Sequence, residues 1–143
     1  ATTIWEHWDG MKDDGSMWSA DMNSFNHYAY GAIGEWMYRA MAGIEADPEY
    51  PGFKHAILYP RIGGNLKYTA GKYHSIYGDV GVKWEVQGKQ ITLTVQIPVN
   101  TTAEIRLDQA KAVLESDGLT FIREADYMAA EAGSGTYQIV FEQ

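Results

Sequence analysis

From Phe25 to Ile44, apolar residues recur at three- and four-residue spacing, which predicts a helix over that stretch. Phe25, Ala29, Ala32, Ile33, Trp36, Met37, Ala40 and Ile44 fall on one face. The opposite face is unusual, because His27, Gly31, Gly34, Tyr38 and Met41 also keep helical spacing there. Glu35 and Arg39 form the one exposed-looking i,i+4 pair. A helix apolar nearly all round is buried on most sides. Its two interior glycines cost about 1 kcal/mol each relative to alanine, so close packing or function has to offset them. In a chain of 143 residues with a single helix, little is left to bury both faces against. The expectation is a helical assembly of which this chain supplies one member.

The flanking sequence bounds the helix. Residues 1–23 read as irregular, with turn and cap chemistry at Gly10, at Asp13-Asp14-Gly15-Ser16 and from Asp21 to Ser24. Ser24 or Asn23 is the expected N-cap. Asp47-Pro48 and Pro51-Gly52 stop the helix, and from Phe53 the period becomes two. Val80, Val82, Trp84 and Val86 alternate with polar residues up to a hairpin turn at Gln87-Gly88, and Ile91, Leu93, Val95 and Ile97 answer on the return. Ala103, Ile105 and Leu107 give another strand, 121–123 and 137–141 two more, with Gly133-Ser134-Gly135 as the turn before the last. The fold class read from this is α+β: a helical segment over residues 1–46, then an antiparallel β-sandwich over 47–143.

Charge narrows the partners. The net charge of −8 and the lack of any Lys/Arg cluster argue against nucleic acid and against anionic membranes, and no run approaches transmembrane length. A neutral partner fits better. With no cysteine, disulfides and thiolate–metal sites are excluded, but no compartment is chosen. No signal peptide is visible and no Met begins the sequence, so a piece of something longer is expected. His7, His27, His55 and His74 lack ligand-type spacing, Asp9–Gly15 lacks the pattern of a calcium loop, and no nucleotide or hydrolase fingerprint occurs, so neither metal nor cofactor is expected.

Two residues carry candidate chemistry. Glu6 lies between Trp5 and Trp8; a carboxylate partly desolvated by indoles is suited to proton transfer, and Trp faces stack on sugar rings. By itself the pattern also fits a solvated glutamate whose tryptophans fill a core. His27, in the first turn of the helix, meets the positive end of the macrodipole, which disfavours the imidazolium and leaves a ring able to bond hydroxyls. It fits equally a core histidine satisfied by a backbone carbonyl. Of Tyr28 and Tyr30, at most one can share its pocket. Tyr59, Tyr68, Tyr73 and Tyr77 could line a sugar-binding face, or be half-buried strand tyrosines.

Taken in order, these stretches resemble a known family. Thr2 to Gly10, then Ser24-Phe25-Asn26-His27-Tyr28-Ala29-Tyr30-Gly31 onward to Trp36, then Pro51-Gly52-Phe53-Lys54, Ser75-Ile76-Tyr77-Gly78, Trp84 and Ile97 to Ala103 are similar to the C-terminal part of bacterial α-L-rhamnosidases of glycoside hydrolase family 78. The likeness spans residues 2 to about 107, with little signal beyond. It implies that residues 1–46 are the last segment of an (α/α)6 barrel, one long helix included, followed by the β-sandwich. It implies inverting hydrolysis of terminal α-L-rhamnosides, with two carboxyl groups roughly 6.5–9.5 Å apart. The family's general base carries over to Glu6, its rhamnose-binding histidine to His27, and Trp5 and Trp8 follow as pocket neighbours. The family's general acid lies upstream of anything here. Glu35 is not that acid, being about 80° out of register with His27 on a helix. The implied partner is a rhamnoside bound by the complete protein, while the chain alone is expected to be inactive and to self-associate through its helix. Two alternatives stand beside this: another (α/α)6 glycosidase acting on a different sugar, or a non-catalytic structural or carbohydrate-binding sandwich over residues 50–143.

Overall fold

The computed structural model describes residues 2–143, which part into two units, one reaching to Trp36 and one running Met37–Gln143. In the first, the chain folds back on itself. Glu6 N–H donates to the Ser24 carbonyl at 2.8 Å and His27 N–H to the Ile4 carbonyl at 2.8 Å, clasping 4–6 against 24–27. Trp5 packs edge-on against Phe25 across that clasp, with ring centroids 4.8 Å apart. The intervening residues make a hairpin-like excursion, in which Met11 bridges Met17 and Trp18 N–H reaches the Gly10 carbonyl at 3.1 Å. Gly10 is buried there, where a Cβ would stand 3.3 Å from the Phe25 ring. Gly15, at φ +81°, turns the excursion, and Asp14 accepts from both the amide and the hydroxyl of Ser16.

The helix expected over Phe25–Ile44 is realised in pieces. A 3₁₀ turn occupies Tyr28–Tyr30, α1 runs Gly31–Trp36, and a π-helical turn, Met37–Ala42, opens the second unit. The clasp holds Ser24 to His27 out of helical conformation, with His27 at φ −76°, ψ 134°. His27 itself is therefore the N-cap, in place of Ser24 or Asn23: its Nδ1 accepts from the Ala29 amide at 3.1 Å. At the other end Gly43, at φ +72°, stops the helix, and Ile44 enters a strand. Gly34 faces open space, and the nearest atoms to a Cβ on Gly31 would be those of the nearby Tyr28 ring. Nothing in α1 is buried.

Among the described residues ten strands follow in chain order: β1 (Ile44–Ala46), β2 (His55–Leu58), β3 (Tyr68–Ser75), β4 (Gly78–Gln87), β5 (Gln90–Ile97), β6 (Thr102–Asp108), β7 (Ala112–Glu115), β8 (Ile122–Arg123), β9 (Tyr127–Ala132) and β10 (Gly135–Glu142). They form two five-stranded sheets, ordered β1-β2-β6-β9-β8 and β3-β4-β5-β10-β7. Alternation in the sequence becomes alternation in space. Ile44, Leu58 and Ile105 of the first sheet and Val82, Trp84, Leu93, Val95, Ile139 and Phe141 of the second meet in one buried cluster. The β-sandwich expected after the helical segment is present. It is not wholly antiparallel, because β2 and β6 pair in parallel. After β2 the chain spends three strands in the second sheet and re-enters the first beside β2, running the same way, a crossover that alternation alone does not reveal. The hairpin at Gln87-Gly88 is there, with Gly88 at φ +65°. The turn at Gly133-Ser134 instead carries the chain from one sheet to the other.

Trp84 is wholly buried, and its indole N–H donates to the Met41 carbonyl at 2.8 Å, fastening the π-helical turn to the sandwich. Tyr59 N–H bonds the Gly43 carbonyl at 2.8 Å and Arg61 N–H the Ala40 carbonyl at 2.8 Å. The approach is so close that a Cβ on Gly43 would lie 2.0 Å from the Pro60 nitrogen. Among the described residues no helix is long and apolar enough to cross a membrane.

Candidate active site

The first unit places Glu6, Trp5 and Trp8 around one cleft of about 480 Å³, with Thr3, Ile4, Ala29 and Tyr30 completing its lining. Glu6 Oε2 accepts from the Ser24 amide at 3.1 Å, so backbone bonds fix the carboxylate at both its own amide and its side chain. The side chain keeps 21% of its surface exposed. The two indoles behave differently. Trp5 turns into the clasp against Phe25, whereas Trp8 is 95% exposed, so the carboxylate is not buried between a pair of indoles.

His27 approaches Glu6, with Nε2 3.9 Å from Oε1. That exceeds a hydrogen bond. Because Nδ1 accepts from the Ala29 amide, the neutral ring carries its proton on Nε2, the nitrogen that faces the carboxylate. The backbone thus selects the tautomer. Of the two tyrosines, Tyr30 lines the cleft and Tyr28 does not, while His27 stands outside the lining and meets it only through its approach to Glu6.

The other histidines are engaged elsewhere. His7 stacks on Trp18 at 4.1 Å, and its Nε2 is buried without a hydrogen-bond partner among the described residues. His55 Nδ1 lies 2.7 Å from the Thr102 hydroxyl, and His74 Nδ1 2.7 Å from Asp79. Asp79, which also meets Lys72 at 2.9 Å, is held below the usual carboxylate range, chiefly by the His74 hydrogen bond. Among the described residues no group of three or more His, Cys, Asp or Glu side chains is placed to hold a metal ion. The strand-region tyrosines make no common platform. Tyr73 packs on Phe53, Tyr68 lies under Lys83, Tyr77 under Lys54, and Tyr59 under Arg61 at 3.6 Å. Tyr59 donates to Asp108 at 3.1 Å, and burial, then the Asp108 charge, pushes its hydroxyl above the ordinary tyrosine range.

Two family models match successive parts of the chain. Residues 1–41 match the family described as the bacterial alpha-L-rhamnosidase six-hairpin glycosidase domain, and residues 43–120 the bacterial alpha-L-rhamnosidase C-terminal domain. The chain belongs to the bacterial α-L-rhamnosidase family. Among its relatives, an α-L-rhamnosidase of Streptomyces avermitilis is 40% identical over 141 residues, covering 96% of this chain and 13% of the relative. One from Alteromonas is 29% identical over 143 residues, covering 15% of the relative. Among solved structures, that of the Streptomyces avermitilis α-L-rhamnosidase complexed with L-rhamnose superposes with a TM-score of 0.78 at 37% identity, over 96% of this chain and 13% of that one. The α-L-rhamnosidase of Dictyoglumus thermophilum gives 0.77 at 26% identity, over 100% and 16%. The chain therefore spans about one seventh of the length of these relatives. Similarity also runs past Leu107, where the sequence motifs fade: the family match reaches residue 120 and the Streptomyces relative aligns over nearly the whole chain.

Proposed function

We propose that this chain is the C-terminal part of an α-L-rhamnosidase that removes terminal α-L-rhamnose with inversion, and that Glu6 is its general base. Residues 1–46 then belong to an (α/α)6 barrel and 47–143 to the sandwich that follows it. The observation that carries the reading is the Glu6–His27 arrangement. A carboxylate held by the Ser24 amide faces a ring N–H 3.9 Å away, beside an exposed Trp8. At that spacing the carboxylate and the imidazole reach one ligand oxygen between them, whether a water or a sugar hydroxyl. Water adds to the anomeric carbon and passes its proton to Glu6. The bond to the leaving oxygen breaks as a second carboxylic acid, outside this chain, protonates that oxygen. His27 donates from Nε2 to a hydroxyl, and Trp5 and Trp8 wall the sugar. With one carboxyl group of the required two, the chain alone has no useful activity.

The test uses the complete parent enzyme on an aryl α-L-rhamnoside. Glu6→Gln keeps the shape and the Ser24 hydrogen bond but removes the base, and the rate should fall about 10²–10⁴-fold. Proton NMR of the first turnover should show the β-anomer of rhamnose formed first. An undiminished rate in the variant removes Glu6 from the chemistry, and an α-anomer formed first removes the inverting mechanism.

A further inference from the structure

The outer face of the first sheet carries a second cleft, remote in sequence from Glu6. It measures about 540 Å³ and is lined by Asp47, Tyr50, Lys54, His55, Glu104 and Glu131, together with residues 100–102. The sheet sets these side chains out, because Thr102, Glu104 and Glu131 alternate with the buried Ala103 and Ala132. Glu104 and Glu131 stand directly opposite across β6 and β9, an arrangement in which like charges destabilise a sheet. Arg106 takes both oxygens of Glu104, at 2.9 and 2.7 Å. Glu131 has no hydrogen-bond or ion-pair partner among the described residues.

The cations are committed, whereas Glu131 and one oxygen of Asp47 are not. Lys54 Nζ is bonded to the Asn100 carbonyl and lies over the Tyr77 ring. His55 gives its Nδ1 edge to Thr102 and stands 5.7 Å from the Tyr50 ring. Tyr50 is 52% exposed. Asp47 uses Oδ1 on the Glu49 amide, which leaves its second oxygen. A ligand here must therefore bring several donors and a flat apolar face. Three carboxylates repel an anion, and a wholly apolar ligand would leave Glu131 and the second oxygen of Asp47 without partners. A neutral ring bearing hydroxyl groups satisfies every condition. We propose that this cleft is a saccharide-binding site of the β-sandwich, with Tyr50 stacked on the C–H face of a sugar and Glu131 and Asp47 accepting from its hydroxyls. The proposed function enters only in the choice of a rhamnoside among the probes.

The 143-residue chain, labelled with nitrogen-15, is titrated separately with methyl α-L-rhamnoside, cellobiose and spermine. Saturable shifts of the amides of Tyr50, His55, Thr102 and Glu131 with at least one saccharide are expected. Tyr50→Ala should weaken that binding roughly three- to tenfold, and Glu131→Gln by a similar factor, with the Trp84 indole signal unmoved in both as the control for folding. No saturable shift with either saccharide overturns the proposal, as does an affinity unchanged in both variants. Preferred binding of spermine overturns it too, since the cleft would then be a polycation site. The amides of Glu6 and His27 appear in the same spectra. Their response, with the Glu6→Gln assay, judges the catalytic reading separately from this one.

Discussion

Replacing Trp84 with phenylalanine tests how the helical turn is fastened to the sandwich. Trp84 is fully buried, and its indole N–H is donated to the Met41 carbonyl at 2.8 Å. Phenylalanine keeps an aromatic ring in the core and removes that donor. Orphaning the part-buried Met41 carbonyl costs about 1–3 kcal/mol, and the smaller ring adds about 1 kcal/mol through contacts that are not refilled. The sum is about 2–4 kcal/mol, a large part of the stability of an ordinary domain. With a urea m-value of about 2 kcal/mol/M, the unfolding midpoint of the 143-residue chain should drop by about 1–2 M at unchanged m. Far-UV circular dichroism follows it without ambiguity from the other four tryptophans. In the unmutated chain, the Trp84 indole proton should be the slowest of the five to exchange. A midpoint lowered by less than about 0.3 M, or a fast-exchanging Trp84 indole, would refute the idea that this bond anchors residues 37–42.

Gly43→Ala should destabilise by more than about 3 kcal/mol, since a Cβ would sit 2.0 Å from the Pro60 backbone at φ +72°; Gly88→Ala, at φ +65° in open space, should cost only about 1 kcal/mol in the same melts. Because the folded pKa of Tyr59 is raised, its contribution is complete below the ordinary tyrosine pKa of about 10 and is lost as pH climbs through the folded value; the parent chain should therefore lose stability in that alkaline window more steeply than Tyr59→Phe. Ile33 and Trp36 of α1 are 54% and 55% exposed, so multi-angle light scattering should show a mass that grows with concentration, and Trp36→Lys should suppress it; a constant monomer mass would count against the association.

The sandwich was legible because its strands carry their own evidence of burial. Val80 to Val86 and Ile91 to Ile97 alternate strictly and face one core, so pattern and structure coincide there. The strands that alternation did not reveal are short or weakly patterned. β1 begins at Ile44, the last residue of what reads as helix, β3 opens with exposed Tyr68 and ends at buried Ser75, and half of β9 is alanine. The parallel β2–β6 pair lay outside any local reading, since it is fixed by where the chain goes between them. In the site, residue types and order pointed to Glu6, His27, Trp5 and Trp8. Their arrangement depends on backbone bonds from Ser24, Ile4 and Ala29, which no side-chain pattern announces. The helix was over-read because its apolar spacing continues through residues that the clasp at one end and Gly43 at the other remove from it.

The position of β10 has a consequence for the order in which the domain can be made. It is the last of the ten strands, yet it lies inside its sheet, paired with β5 along Gly135–Glu142 on one side and with β7 on the other. Until it arrives, β5 presents a long unpaired edge and β7 has no neighbour to join. The first sheet waits likewise, because β2, itself paired with β1, precedes its partner β6 by more than forty residues. Assembly must therefore proceed by late closure, with early strands held open for distant ones, as in slow-folding topologies of high contact order. A chain cut short before Gly135 would not be a slightly smaller sandwich; it would stay an open sheet, exposed to pairing with its own kind.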